Sequence, residues 1–185
     1  MSNYPYIIAG LPDLLFNFES RPFNYEEIRN GIVFLCDKAD TTKIKWLESS
    51  LDGKHYTSLF YKGVEKSGSS FIREYVAFDK SVRNAKVKYI QDSTLEEESE
   101  LSERLRPVFK ISNIIERERA LDKLYWDKIN ELTLQEYLSF DVVLAFLAKA
   151  RLVDRWCKLD KANGAAMFKQ LVQEVRGTFK GVNFE

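Results

Sequence analysis

The chain has 185 residues, with 28 basic and 28 acidic side chains, one histidine and 14% aromatic residues. At this length a chain buries roughly 70% of the surface its unfolded form exposes, so a core can form without a disulfide or a metal. The charge balance argues against bulk nucleic-acid binding, which draws on a basic excess, and against a global field that steers acidic substrates.

In chain order, Tyr4 to Ala9 is a short apolar run that fits either one strand or the first turns of a helix. Asn24 followed by Glu27 is a capping-box pattern, and it predicts a helix from Tyr25 to Lys38 with Ile28, Ile32 and Leu35 on one face. Asp40-Thr41-Thr42 is placed to cap a second helix carrying Ile44, Leu47 and Leu51, which Asp52-Gly53 stops. Residues 53–70 form a less regular connector, with a short helix expected around Leu59 and a turn at Lys66 to Ser70. From Phe71 the pattern sharpens. Phe71, Tyr75, Phe78, Val82, Ala85 and Tyr89 follow alternating steps of four and three, the seam of a long amphipathic helix.

Ser93 to Glu97 restarts a helix with acidic residues where the helix dipole favours them, and Pro107 limits it. Residues 108–131 read as helical and highly charged, and Thr133 to Glu136 as a further capping box. Ser139 is expected to cap a strong segment from Phe140 to Leu159. Asp160 is expected to cap a last helix with Met167, Phe168, Leu171, Val172 and Val175 on its inner side, ended by Gly177. The fold class is therefore all-α: residues 1–185 as one helical domain, a bundle of six to eight helices with room for one short N-terminal strand.

Groups that carry chemistry are sparse. His55 sits in a turn-like stretch, and one histidine without a Cys-x-x-Cys pair makes a zinc site improbable. Cys36 and Cys157 lie in apolar contexts and read as buried free thiols of a reducing cytoplasm. Phosphate-loop, dinucleotide and serine-nucleophile motifs are missing. Ser67-Gly68-Ser69-Ser70 precedes a helix and so offers amides to an anion, although a plain cap is the simpler reading. Glu96, Glu97, Glu98, Glu100 and Glu103 read as a solvated helix start. Accordingly no catalytic residue, metal or cofactor is expected. Met1 to Pro5 has no basic segment ahead of an apolar stretch, and Val142 to Ala148 is too short an apolar run to span a bilayer. A soluble, cytoplasmic protein follows.

Surfaces are more informative. Arg73, Lys80, Arg83, Lys86 and Lys88 form a basic stripe off the aromatic seam. That geometry disfavours a nucleic-acid platform and suits an acidic protein partner equally well. Leu121 to Trp126 carries apolar groups beyond one narrow face, and Val142 to Trp156 is apolar on nearly every side, as in a central or partner-covered helix. Tyr125, Trp126, Arg155 and Trp156 are the expected partner-interface anchors, being of types that dominate binding hot spots or lying beside them.

The run Tyr4-Pro5-Tyr6-Ile7-Ile8-Ala9-Gly10-Leu11-Pro12-Asp13-Leu14 resembles the opening of a bacterial family of unknown function whose genes sit in V-type ATPase operons. The later part resembles it too, through Leu121 to Trp126, Glu131-Leu132-Thr133, Tyr137 to Asp141, Leu144 to Lys149, Asp154 to Asp160, Gly164 and Met167-Phe168. The likeness covers residues 4–18 and 115–176, and order and spacing carry it rather than any one motif. It implies a helical counterpart of the V/A-type ATPase C subunit, called d in eukaryotic enzymes, which joins the central stalk to the membrane ring. On that footing the chain is expected to be a non-catalytic accessory subunit with V-type ATPase subunits as partners. It would lie peripheral to the inner membrane without inserting into it, and would bind no nucleic acid. The alternative is a standalone helical adaptor that binds other proteins.

Overall fold

The structure is a computed structural model and describes residues 3–16, 23–52, 57–92, 99–159 and 161–179. Among the described residues there are nine helices and no strand, an all-α bundle. Tyr4–Ala9 (α1) is one of the helices. Asn3 caps it by accepting from the Tyr6 amide, and Pro5 sits in its first turn, where a missing N–H costs nothing. That resolves the open choice at the N-terminus in favour of a helix, and the count exceeds the expected six to eight.

Tyr25–Leu35 (α2) begins as expected at Asn24, whose side chain accepts from the Glu27 amide. Lys38–Asp52 (α3) starts earlier than expected because Asp37, not Asp40, receives the orphan amides: its carboxylate accepts from Asp40 N at 3.0 Å. Asp40 lies inside the first turn, where it accepts from the Tyr4 hydroxyl and Lys43. The connector carries Ser58–Glu65 (α4) around Leu59, capped by Thr57; residues 53–56, with His55, fall outside the described residues. Gly68, at φ 71°, turns the chain into Ser70–Asp92 (α5), whose seam residues Phe71, Tyr75 and Val82 are buried.

The restart at 93–97 lies outside the described residues, and Glu100–Phe109 (α6) starts from Ser99. Pro107 sits inside its last turn, so α6 outlasts the proline by two residues. A new helix, Ile114–Leu132 (α7), follows from Asn113, so 108–131 is not continuous. Thr133 ends α7 instead of starting a helix: its hydroxyl donates to the Ile129 carbonyl. Phe140–Cys157 (α8) follows Ser139, whose side chain makes no capping bond. Lys161–Phe179 (α9) runs through Gly177, while Asp160 is outside the described residues.

α8 is the centre. It packs against α1, α2, α3, α5 and α7, and Val143, Leu144, Leu147, Ala148 and Ala150 along it are fully buried. A second, smaller cluster of Val82, Leu105, Val108, Phe109 and Leu121 joins α5, α6 and α7. By contrast, α9 is not among the closely packed pairs. Met167, Phe168 and Leu171, expected on its inner side, are 65%, 67% and 55% exposed. The apolar period is real, but among the described residues Met167, Phe168 and Leu171 on it are left exposed. No helix among the described residues is long and apolar enough to cross a membrane.

Candidate partner-binding cleft

Two surfaces are candidates for function. One is the bare face of α9; the other is a cleft of about 720 Å³ bordered by α5, α7 and α8, with the end of α3 at its edge.

Each of the three bordering helices places one aspartate at the floor. Asp79 on α5 accepts from Arg83 Nε at 2.8 Å, one helical turn on, and from the Tyr125 hydroxyl of α7 at 2.8 Å. Asp122 on α7 accepts from the Arg155 guanidinium and from Trp156 Nε1 at 2.5 Å, both on α8. Asp154 on α8 accepts from Lys158 Nζ at 2.6 Å and from the backbone amide of Tyr25 at 3.5 Å, at the start of α2. Arg151 Nη1 stands 3.7 Å from it. A buried carboxylate persists only with such partners. Here each has at least one close cation and at least one neutral N–H or O–H donor.

Burial nevertheless shifts the titrations. Loss of solvent pushes the Asp122 carboxyl above its ordinary value, and this outweighs Arg155 beside it. The Tyr125 phenol is driven far upward, first by burial and then by the Asp79 charge, so it stays a donor. On the opposite flank of α8, burial lowers the Lys149 ammonium, whose Nζ lies 5.2 Å from the centre of the Trp126 ring.

The charges form layers. The floor side chains of Asp79, Asp122 and Asp154 are 7%, 6% and 2% exposed, whereas those of Arg83, Lys86, Arg151, Arg155 and Lys158 are between 37% and 63% exposed. Two acids share the rim. Glu118 lies 3.8 Å from both Lys86 and Arg155, and Asp52 lies 3.1 Å from Arg151.

Of the four anchors expected from sequence, Tyr125 and Arg155 line this cleft, and Trp156 reaches it through its bond to Asp122. Trp126 does not: it is 7% exposed and packs edge-on against Phe16 within the main core. Of the basic stripe, Arg83 and Lys86 line the cleft, while Lys80 covers the Tyr61 ring elsewhere. The floor aspartates were missed as a set. The four-residue spacing of Asp79 with Arg83 and of Asp154 with Lys158 was a local signal, but nothing local joins Asp122 to Arg155.

The remaining sequence candidates are accounted for separately. The Ser69 and Ser70 hydroxyls and the Phe71 amide donate to the chain's own Asp141 at 2.6, 3.0 and 3.1 Å, while the Ser69 and Ile72 amides donate to Ser67 Oγ and Ser69 Oγ. Glu100 and Glu103 are exposed on the first turn of α6, and Glu96 to Glu98 lie outside the described residues. Cys36 and Cys157 are half-buried free thiols. Among the described residues no group of three or more histidine, cysteine or acidic side chains is arranged to hold a metal.

No curated protein and no solved structure matches the chain. Residues 86–178, from the second half of α5 to the end of α9 and just over half of the chain, match the sequence model of a family described as "Protein of unknown function (DUF2764)". The protein therefore belongs to the DUF2764 family, whose match takes in α7, α8 and α9 together with Lys86 of α5.

Proposed function

We propose that the protein is a non-catalytic accessory or assembly subunit of a V-type ATPase, linking the central stalk to the membrane ring through contacts with other subunits. The observation that carries a subunit role is α9. It is a 19-residue helix whose Met167, Phe168 and Leu171 face solvent in the isolated chain, a pattern that a partner surface covers in an assembly. The ATPase as host is supported by the resemblance of residues 4–18 and 115–176 to a family encoded in V-type ATPase operons. Attachment would be peripheral, with the contact made from α9.

The test is to tag the protein in its native host, purify it from gently solubilised membranes and identify what accompanies it. Stoichiometric recovery of V-type ATPase subunits is expected, and Phe168→Ser with Leu171→Ser should abolish it without unfolding the chain, because both side chains are already exposed. Recovery of the protein alone, with intact ATPase elsewhere in the same extract, overturns the reading and leaves the standalone adaptor.

A further inference from the structure

We infer that the cleft between α5, α7 and α8 binds an acidic polypeptide segment, whose carboxylates meet the cationic rim formed by Arg83, Lys86, Arg151, Arg155 and Lys158. This goes beyond the ATPase reading, and a failure of either leaves the other standing.

The first argument is the layering of charge. Counted over all its residues the cleft is neutral, but three of its five carboxylates are at the floor while all five cations face outward, so the rim, with Glu118 and Asp52 as its only acids among the described residues, carries a net positive charge. An approaching ligand meets ammonium and guanidinium groups, with the compensating charge behind them. Moreover, most of these cations are held from behind: Arg83 by Asp79, Arg155 by Asp122, Lys158 by Asp154. Their side chains have already lost much of the freedom that binding would otherwise remove.

Spacing decides the ligand's shape. Arg151, Arg155 and Lys158 lie on one side of α8 at steps of four and three, spanning about 10 Å along the helix. Arg83 and Lys86 stand on α5 across the cleft. Lys86 and Arg155 converge on one carboxylate, that of Glu118, but Arg83, Arg151 and Lys158 each pair most closely with a different acid, Asp79, Asp52 and Asp154, so the five do not form a single phosphate-sized cluster. They fit carboxylates spaced along a chain, and a volume of about 720 Å³ accommodates several residues. Val82, Leu121 and Leu152 add apolar wall for the stems of such side chains.

Glu118 supplies an internal sign. Its two carboxylate oxygens stand 3.8 Å from Lys86 and Arg155, near enough for attraction but beyond hydrogen-bond length. It sits between the cations that a ligand carboxylate would engage more closely, so it competes with the ligand. Removing its charge should therefore tighten binding.

The experiment titrates the purified full-length protein with a short oligoglutamate peptide and follows the Trp156 indole N–H resonance, which reports from the floor through its bond to Asp122. A saturable, salt-sensitive shift is expected. Lys86→Glu should weaken it about tenfold, and Glu118→Gln should tighten it severalfold. Both side chains are at least a third exposed, so unchanged thermal midpoints verify that each variant folds. Three outcomes overturn the proposal: no shift with oligoglutamate; the same shift with oligolysine; or orthophosphate or oligothymidylate binding as tightly as the peptide. A loss of affinity in Glu118→Gln overturns it as well, because a merely structural role for Glu118 predicts loss where competition predicts gain.

Discussion

The Asp141 carboxylate accepts the backbone amide of Phe71 at 3.1 Å, so the first turn of α8 caps the first turn of α5 from 70 residues away. Helix starts leave amides unpaired and carry a partial positive charge. Ser69 and Ser70 hand their hydroxyls to the same carboxylate. Asp141→Ala should cost about 1–2 kcal/mol, as for loss of a good N-cap, and Asp141→Asn less, since one acceptor oxygen remains. Urea unfolding of the two variants measures the difference. Equal losses would mean that packing rather than capping sets the effect.

Gly63 gives a sharper steric test. A Cβ there would lie 2.2 Å from the Trp46 ring, which crosses α4 at this point and packs against Phe60. Alanine is the better helix former by about 1 kcal/mol, so propensity predicts a more stable protein. The contact predicts the reverse, because the indole must move. Gly63→Ala should destabilise by about 1–3 kcal/mol, and a raised melting temperature would show that Trp46 swings away freely.

Asp122 has a distinctive dependence on pH. Its carboxyl holds a proton more tightly when folded than when unfolded. From about pH 4 upward the folded state therefore carries the excess protons, and this group's contribution to stability falls as pH rises through that window. Asp122→Asn should flatten that part of the stability curve. Unfolding free energies measured in urea across the acidic range, wild type against variant, check the sign; a variant curve steeper than wild type in that direction refutes it.

The thiol of Cys36 is pushed up to about 11, first by burial and then by the charges of Asp40 and Asp37. Since the thiolate is the reacting form, alkylation in mildly alkaline buffer should run roughly a hundredfold slower than at an ordinary cysteine. Removing one neighbouring charge with Asp37→Asn should speed it. Mass spectrometry of the alkylated peptides distinguishes Cys36 from Cys157.

Much of this architecture is legible in the residues. The alternating spacing from Phe71 to Tyr89 located α5 and its buried face, and the apolar run after Ser139 located the central helix. What failed was decided by competition between neighbours. Asp37 outbid Asp40 for the start of α3, and Asn113 opened a new helix inside a stretch that reads as continuous. The face of α9 shows the opposite limit. Periodicity reveals that Met167, Phe168 and Leu171 share a side, but not whether anything lies against it. Around the cleft, Tyr125 bonds to Asp79, and Arg155 and Trp156 bond to Asp122, although each was singled out from sequence only by its residue type or its place in an apolar run. Trp126 parts from Tyr125 because adjacent helical residues point about 100° apart, which sends it to the core while Tyr125 reaches Asp79.

The central position of α8 also constrains how the chain is made. Tyr25 donates its amide to Asp154, 129 residues downstream, and Ile7, Ile32, Ile44 and Leu47 are buried in the cluster that Val143 to Val153 completes. As the chain leaves the ribosome, α1, α2 and α3 emerge with the faces that meet α8 lacking their counterpart until the segment at 140–157 has been translated. Such distant closure slows folding and prolongs exposure of sticky surface. Translation past residue 157, rather than emergence of the first helices, is the condition under which this bundle can close.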